Sequence, residues 1–302
     1  VSKPGYNPAL NRFSISTTFL TWILIIAGSL VTSTESGLSV PDWPLSYGQV
    51  FPPMVGGIRF EHTHRVIAGL VALLTLIQTI WIWRTETRKW IKRLGLFSFI
   101  LIIMQAVFGG LTVLLLLPPP ISILHAFTAQ TFFSFLVIIS LTSTHYWWKN
   151  YEATPPVNAA CNPEKLLLFS RLTLASLFLQ LIFGAMKRHR VAGIHPHLLG
   201  ALMVVALAFS TFAYINKRFA QKKDVWLSSL LLCVLVLAEL FLGLNAYAVR
   251  LRSVNEIVPG TETVLGTASH VAVGALVLAS ATVLFLICLG IRRNAETSHS
   301  SK

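Results

Sequence analysis

Charge is scarce in this chain. Only 12% of its 302 residues are Asp, Glu, Lys or Arg, about half of the roughly 25% usual in soluble domains, which excludes an ordinary water-soluble globule. Acidic residues are scarcer still, 11 against 24 Lys and Arg. The resulting net charge of +13 would suggest nucleic acid as a partner if the chain were soluble. Cysteine is nearly missing: Cys161, Cys233 and Cys288 lie far apart with no C-x-x-C, so neither a disulfide framework nor a thiolate metal cluster is indicated. What fills the sequence instead is apolar, 54% of residues with a mean hydropathy of +0.70. That composition defines an integral membrane protein.

Long apolar runs predict membrane helices near 15–34, 61–83, 94–117, 121–147, 166–186, 195–215, 225–248 and 264–290. Eight spans of roughly 20 residues take up about 160 positions, leaving little for a soluble domain. With the N-terminus placed in the cytoplasm, 17 of the Lys and Arg residues fall inside and seven outside. The positive-inside rule then sets both termini in the cytoplasm. Most of the basic charge is a topology signal, and nucleic acid is not an expected partner. Lys3 and Arg12 precede the first apolar run, but no A-x-A-like site follows it, so that span is expected to be retained.

A cut in the Pro- and Asn-rich loop after residue 150 (Pro155, Pro156, Asn158, Asn162, Pro163) gives two halves, 1–150 and 151–302, that read as repeats. The expected fold is all-α, two pseudo-symmetric four-helix bundles. Gln105-x-x-x-Gly109, Gln180-x-x-x-Gly184 and Glu239-x-x-x-Gly243 share one spacing, which reads first as close helix packing on glycine with an amide bonding a neighbour. Glu239 stands apart, because a charge inside a bilayer must pair, line a wet cavity or stay protonated.

Histidines repeat in the same way. His64 and His125 open the second and fourth spans, 61 residues apart; His197 and His270 open the sixth and eighth, 73 apart. The longer separation is matched by the longer loop from Arg250 to Glu262. All four fall at one depth near the outer surface. Imidazole suits iron, copper and zinc, but His125 and His270 have no Cys, Met or carboxylate at close spacing, whereas a haem needs one axial nitrogen from each side and an apolar slot. Two bis-histidine haem slots are therefore expected, one per half, with Arg65 placed to pair with a propionate.

The two slots are not chemically equal. Glu61 lies three residues before His64 and Arg65 just after it, while the repeat counterparts are Ile194 and Leu198. A reactive site is expected in the first half, and an electron-transfer or structural site in the second. His62 and His195 stand two residues before the proposed ligands, point to other faces and cannot bind the same iron. His145, His189 and His299 read as solvated or interfacial.

At these residues the chain resembles the haem A synthase family, membrane enzymes that convert haem O to haem A for cytochrome oxidase. The resemblance is carried by Gly28 to Ser39, Pro41-Asp42-Trp43-Pro44, Glu61-x-x-His64-Arg65, Gln105-x-x-x-Gly109 and Leu124-His125. It implies that His64 and His125 flank the substrate haem in 1–150, that His197 and His270 bind a haem B cofactor in 151–302, and that Glu61 is catalytic. The implied chemistry is oxidation of a haem ring methyl to a formyl. A multi-pass protein of the inner membrane is implied, its partners being the lipid bilayer, haem O, a haem O synthase, an electron-transfer protein and a second copy of the chain. Many bacterial relatives carry a cysteine pair in the first outer loop, where this chain has Val40 and Ser46. That loop, Glu35 to Phe60, is rich in Pro and aromatic residues and is expected to roof the first slot. The alternatives are a bis-histidine cytochrome b that moves electrons without modifying haem, and, more weakly, a transporter.

Overall fold

A computed structural model describes residues 6–152, 162–253 and 258–299. Pro155, Pro156, Asn158 and Cys161, cited above for the inter-half loop and the cysteine spacing, lie outside the described residues, as do Lys3 and Lys302, the side chains of Glu296 and His299, and the middle of the loop between Arg250 and Glu262. Eight helices among the described residues are long and apolar enough to cross a membrane. They are α1 (Pro8–Ser33), α2 (Ile58–Thr85), α3 (Lys89–Leu114), α4 (Pro119–Thr142), α5 (Pro163–Arg188), α6 (His195–Arg218), α7 (Lys223–Arg252) and α8 (Thr261–His299).

The helices start where the backbone is pre-set to start them. Proline occupies the first turn of α1, α4, α5 and α6, where its missing N–H has no helical partner to lose. Asn7 accepts from the amides of Ala9 and Leu10 (both 3.1 Å), and Asn162 from that of Lys165 (3.0 Å). The first cap starts α1 seven residues before the apolar run expected from 15. The fourth helix ends at Thr142, not 147. Thr144 breaks it by capping a new turn, accepting from Trp147 N, and the chain continues as His145–Trp147 and a wider turn to Glu152. Tyr146 and Tyr151 on this turn both donate to Asp224 Oδ2 at the start of α7. Burial and the Asp224 carboxylate push both phenols up from their usual range.

Small polar side chains are buried among the apolar ones where helices touch, and the outside is large and apolar. Ser14, Thr17, Thr21, Thr75, Ser98, Thr173 and Thr211 are buried, while Leu70, Leu73, Phe97, Leu202, Leu231 and Phe241 are exposed. This is the pattern of helices solvated by lipid, where close backbone approach and interhelical hydrogen bonds replace a hydrophobic driving force. In the first bundle α2 packs on α1 and α3, and α4 packs on α3 and α1; α5 to α8 repeat the arrangement. The bundles meet through α4 against α8, flanked by α1 against α8 and α4 against α5, a pairing that a two-fold relation between halves requires. Phe133 and Val137 of α4 meet Ala275 of α8 at this seam, and Trp22 Nε1 donates to Ala272 O across it (3.0 Å).

Candidate active site: two histidine pairs and a lid over the first

Four glycines, one on each odd-numbered helix, seat the four histidines of the even-numbered helices. A Cβ at Gly28 would stand 3.1 Å from His64 Nε2, at Gly109 3.4 Å from His125 Cε1, at Gly184 3.1 Å from His197 Cε1, and at Gly243 2.9 Å from His270 Cε1. Each bundle thus holds two sockets on diagonally opposed histidine-bearing helices. Sequence reading took the glycine spacing for helix packing; the helix it brings close is the histidine-bearing one, and Gly28 is a fourth member that no polar residue at position 24 had flagged.

His197 and His270 stand with ring centroids 6.2 Å apart and planes at 79°. Two metal–imidazole bonds of about 2 Å each plus the ring radii span roughly 6 Å, so the spacing of this pair is the one a metal held between them would need. His64 and His125 are close enough to interact electrostatically. His125, His197 and His270 all meet their glycine at Cε1, but His64 meets it at Nε2. A haem held by His64 through Nε2 would need that ring to turn. Among the described residues no group of three His, Cys, Asp or Glu forms a metal cluster.

The remaining Nδ1 atoms differ. His125 Nδ1 is buried near the Gln105 backbone carbonyl without a well-aligned hydrogen bond, and the Gln105 side-chain amide goes to Thr128. The Gln180 amide lies 3.0 Å from His197 Nδ1 and donates to the His197 carbonyl (3.0 Å). Glu239 Oε1 lies 2.9 Å from His270 Nδ1.

Over the first bundle the segment from Glu35 to Gly57 forms a lid bound to α2 and α3. Glu61 accepts from Val40 N through Oε2 (2.9 Å) and from Arg65 Nη2 through Oε1 (2.6 Å). Arg65 also donates to the carbonyls of Asp42 (2.7 Å), Leu45 (2.6 Å) and Val40 (3.3 Å). Both terminal nitrogens are committed to the lid and Glu61, so the propionate pairing expected of Arg65 would require the lid to release it. Ser46 Oγ lies 2.9 Å from His62 Nδ1, which places His62 in the lid contact and off the slot. Val40 and Ser46, the two positions matched to a cysteine pair, thus each contact α2.

Asp42 folds the lid tip, accepting from the amides of Tyr47 (2.7 Å) and Gly48 (2.8 Å). Those bonds, that from Gly48 foremost, hold its carboxyl below its usual range. Trp43 lies against Gly110, the neighbour of the His125 socket, where a Cβ would come within 2.9 Å of the indole. The lid also reaches the second bundle: Arg250 pairs with Glu35 (3.3 Å), and Arg188 donates to Thr32 O at the end of α1. His195 is exposed, and His145 meets Tyr6 edge-on at 5.3 Å. His189 is half-buried at the end of α5, and burial together with the Arg188 charge lowers its pKa.

Paired histidines on glycine sockets, repeated in two four-helix bundles, define an eight-helix membrane protein with one histidine pair in each half. Residues 11–56 and 58–198 match the COX15-CtaA family, cytochrome oxidase assembly protein, and the chain belongs to that family. The match takes in the lid, Glu61, His64, His125 and His197; Glu239 and His270 lie beyond it. Among similar proteins are heme A synthases of Bacillus pumilus, 36% identical over 108 residues covering 35% of each chain, Bacillus licheniformis, 31% over 137 residues covering 45% of each, and Shouchella clausii, 34% over 142 residues covering 44% of this chain and 45% of the relative. Each alignment spans less than half of the relative's own length.

Proposed function

We propose that the chain is a haem A synthase, oxidising the ring methyl of haem O to the formyl of haem A in the cell membrane, with both termini cytoplasmic and the haem sites near the outer face. The observation that carries the reading is the asymmetry between the two histidine pairs: among the described residues, only the first lies beneath a lid with a buried carboxylate, Glu61. Residues 1–150 would hold the substrate haem between His64 and His125. Residues 151–302 would hold haem B on His197 and His270, whose spacing fits it. Haem B would supply one-electron exchange there.

The chain's own residues supply the rest. The lid excludes water above the first slot through Trp43 and Val40, the latter fully buried. Glu61 is three residues from His64 on the same helix face and is the carboxylate placed to accept a proton, or to stabilise positive charge developing at the ring methyl. Arg65 keeps that carboxylate oriented. A haem O synthase, an electron-transfer protein and a second copy of the chain are the partners this reading would admit.

The test is expression alongside a haem O synthase, followed by acid extraction and mass analysis of the haem. Haem A or its hydroxylated precursor is expected, and Glu61→Ala should stop conversion while haem stays bound. Recovery of haem B alone from active cells, with Glu61→Ala changing only a redox potential, would favour the electron-carrying cytochrome instead.

A further inference from the structure

The four sockets share a further position, one helical turn before each glycine: Leu24, Gln105, Gln180 and Glu239. At this position a side chain shares a face with the socket and can reach the histidine Nδ1, the nitrogen that iron ligation leaves free. What it meets on the partner helix decides whether it does so. In α4, Thr128 takes the Gln105 amide and draws it away from His125. In α6 the corresponding place is Gly200, and in α8 Gly274 lies one residue further along the helix; a Cβ at either would crowd the Gln180 or Glu239 side-chain oxygen. The second bundle therefore has niches that keep both polar side chains against their histidines. Only one of the four is a carboxylic acid.

We infer that Glu239 is a positioning residue that sets the redox poise of the second-bundle haem by holding a carboxylate against His270 Nδ1. The inference rests on the reading of His197 and His270 as haem ligands. Glu239 Oε1 is 2.9 Å from that nitrogen, a close contact not aligned as a hydrogen bond, while Oε2 is buried with no hydrogen-bond partner, so His270 is the residue the carboxylate meets. An axial imidazole that shares its Nδ1 proton with a carboxylate is a stronger donor to iron and favours the ferric state. His197 faces a neutral amide, His125 a backbone carbonyl, and His64 has Leu24 at the matching position. The carboxylate lowers the potential of the second haem and biases an electron shared between the two centres toward the first bundle, where the substrate would lie.

The experiment is an optical redox titration of the purified holoprotein with haem counted by extraction. Glu239→Gln should keep the haem count and raise the second-haem midpoint, increasing the ferrous-to-ferric ratio at fixed potential about tenfold, which is about 59 mV for one electron. Gln180→Glu, which adds a carboxylate on the opposite ligand, should lower it. A fully loaded Glu239→Gln protein with an unmoved midpoint overturns the inference. If that variant fails to fold, Gln180→Glu decides alone: a lowered midpoint supports it and an unmoved one overturns it. If the second-bundle haem stays bound and low-spin in His270→Ala, measured beside His64→Ala to identify the first-bundle signal, the haem B assignment falls and the inference with it, told apart because the ligand itself is then without effect.

Discussion

Glu61 and Val40 are joined by one hydrogen bond, 2.9 Å from the Val40 amide to Oε2, and with it the side chain proposed to do chemistry also fastens the lid. The other oxygen holds Arg65, whose remaining contacts are lid carbonyls. Removing the carboxylate leaves a largely buried guanidinium without its anion. Loss of one partner from such a pair costs on the order of 3–5 kcal/mol. Glu61→Ala should therefore loosen the lid as well as stop conversion, read as faster proteolytic cleavage between residues 40 and 57. Glu61→Gln should keep part of the lid contact while losing the charge, so a variant that is inactive with a protected lid separates the chemical role from the structural one.

Each socket glycine should control haem in its own bundle. A methyl at Gly243 meets His270 at 2.9 Å and one at Gly184 meets His197 at 3.1 Å, distances that force the ring or its helix to move. Overpacking of this kind costs about 1–3 kcal/mol. Gly243→Ala or Gly184→Ala should lower haem recovery by one equivalent at most, with Gly109→Ala, where the gap is 3.4 Å, the mildest. Reduced-minus-oxidised spectra with haem extraction provide the count.

Trp43 closes the lid onto Gly110. Because the indole is 40% exposed, its truncation should cost about 1–2 kcal/mol, less than the 3–5 of a fully buried aromatic. Trp43→Ala is expected to speed loss of bound haem from the first bundle without touching the second, measured by transfer to an apo-globin acceptor. Gly110→Ala should do the same from the other side of the contact.

Acid should weaken the turn between α2 and α3. Burial alone would raise the Glu86 carboxyl, but hydrogen bonds from the Arg88 side chain, and from the amides of Arg88 and Thr87, hold it below its ordinary value of 4.5. A depressed folded-state pKa contributes stability that is present above the ordinary value and is lost as pH falls through the depressed one. Melting of the detergent-solubilised protein should fall across that acid window, and Glu86→Gln should flatten the dependence while lowering stability at neutral pH.

Much of this was legible in residue spacing. The eight spans follow from apolar runs that local capping only trims, and the pairing of histidines follows from the repeat. What escaped was set by partners distant in sequence. Gln105 and Gln180 look alike along the chain, yet one turns to Thr128 and the other to His197, because α4 offers a hydroxyl where α6 offers Gly200. Arg65 looked like an anion-binding side chain, and its lid contacts come from carbonyls 20 to 25 residues away that carry no side-chain signal. The end of α4 was overrun because Tyr146, Trp147 and Trp148 are as apolar as a span, and only the Thr144 cap marks the break.

The seam between bundles has a consequence for traffic. Protons travel on polar carriers and electrons do not, and where α4 meets α8 the seam is floored by Phe133, Val137 and Ala275, with Phe127 and Phe178 in edge contact at 5.8 Å nearby. Side chains of that composition offer a proton no carrier where α4 meets α8, and polar contacts between the halves, such as Ser33 with Thr267 and Thr32 with Arg188, lie on α1 instead. Were each half to hold a haem, electrons could cross this contact where protons could not.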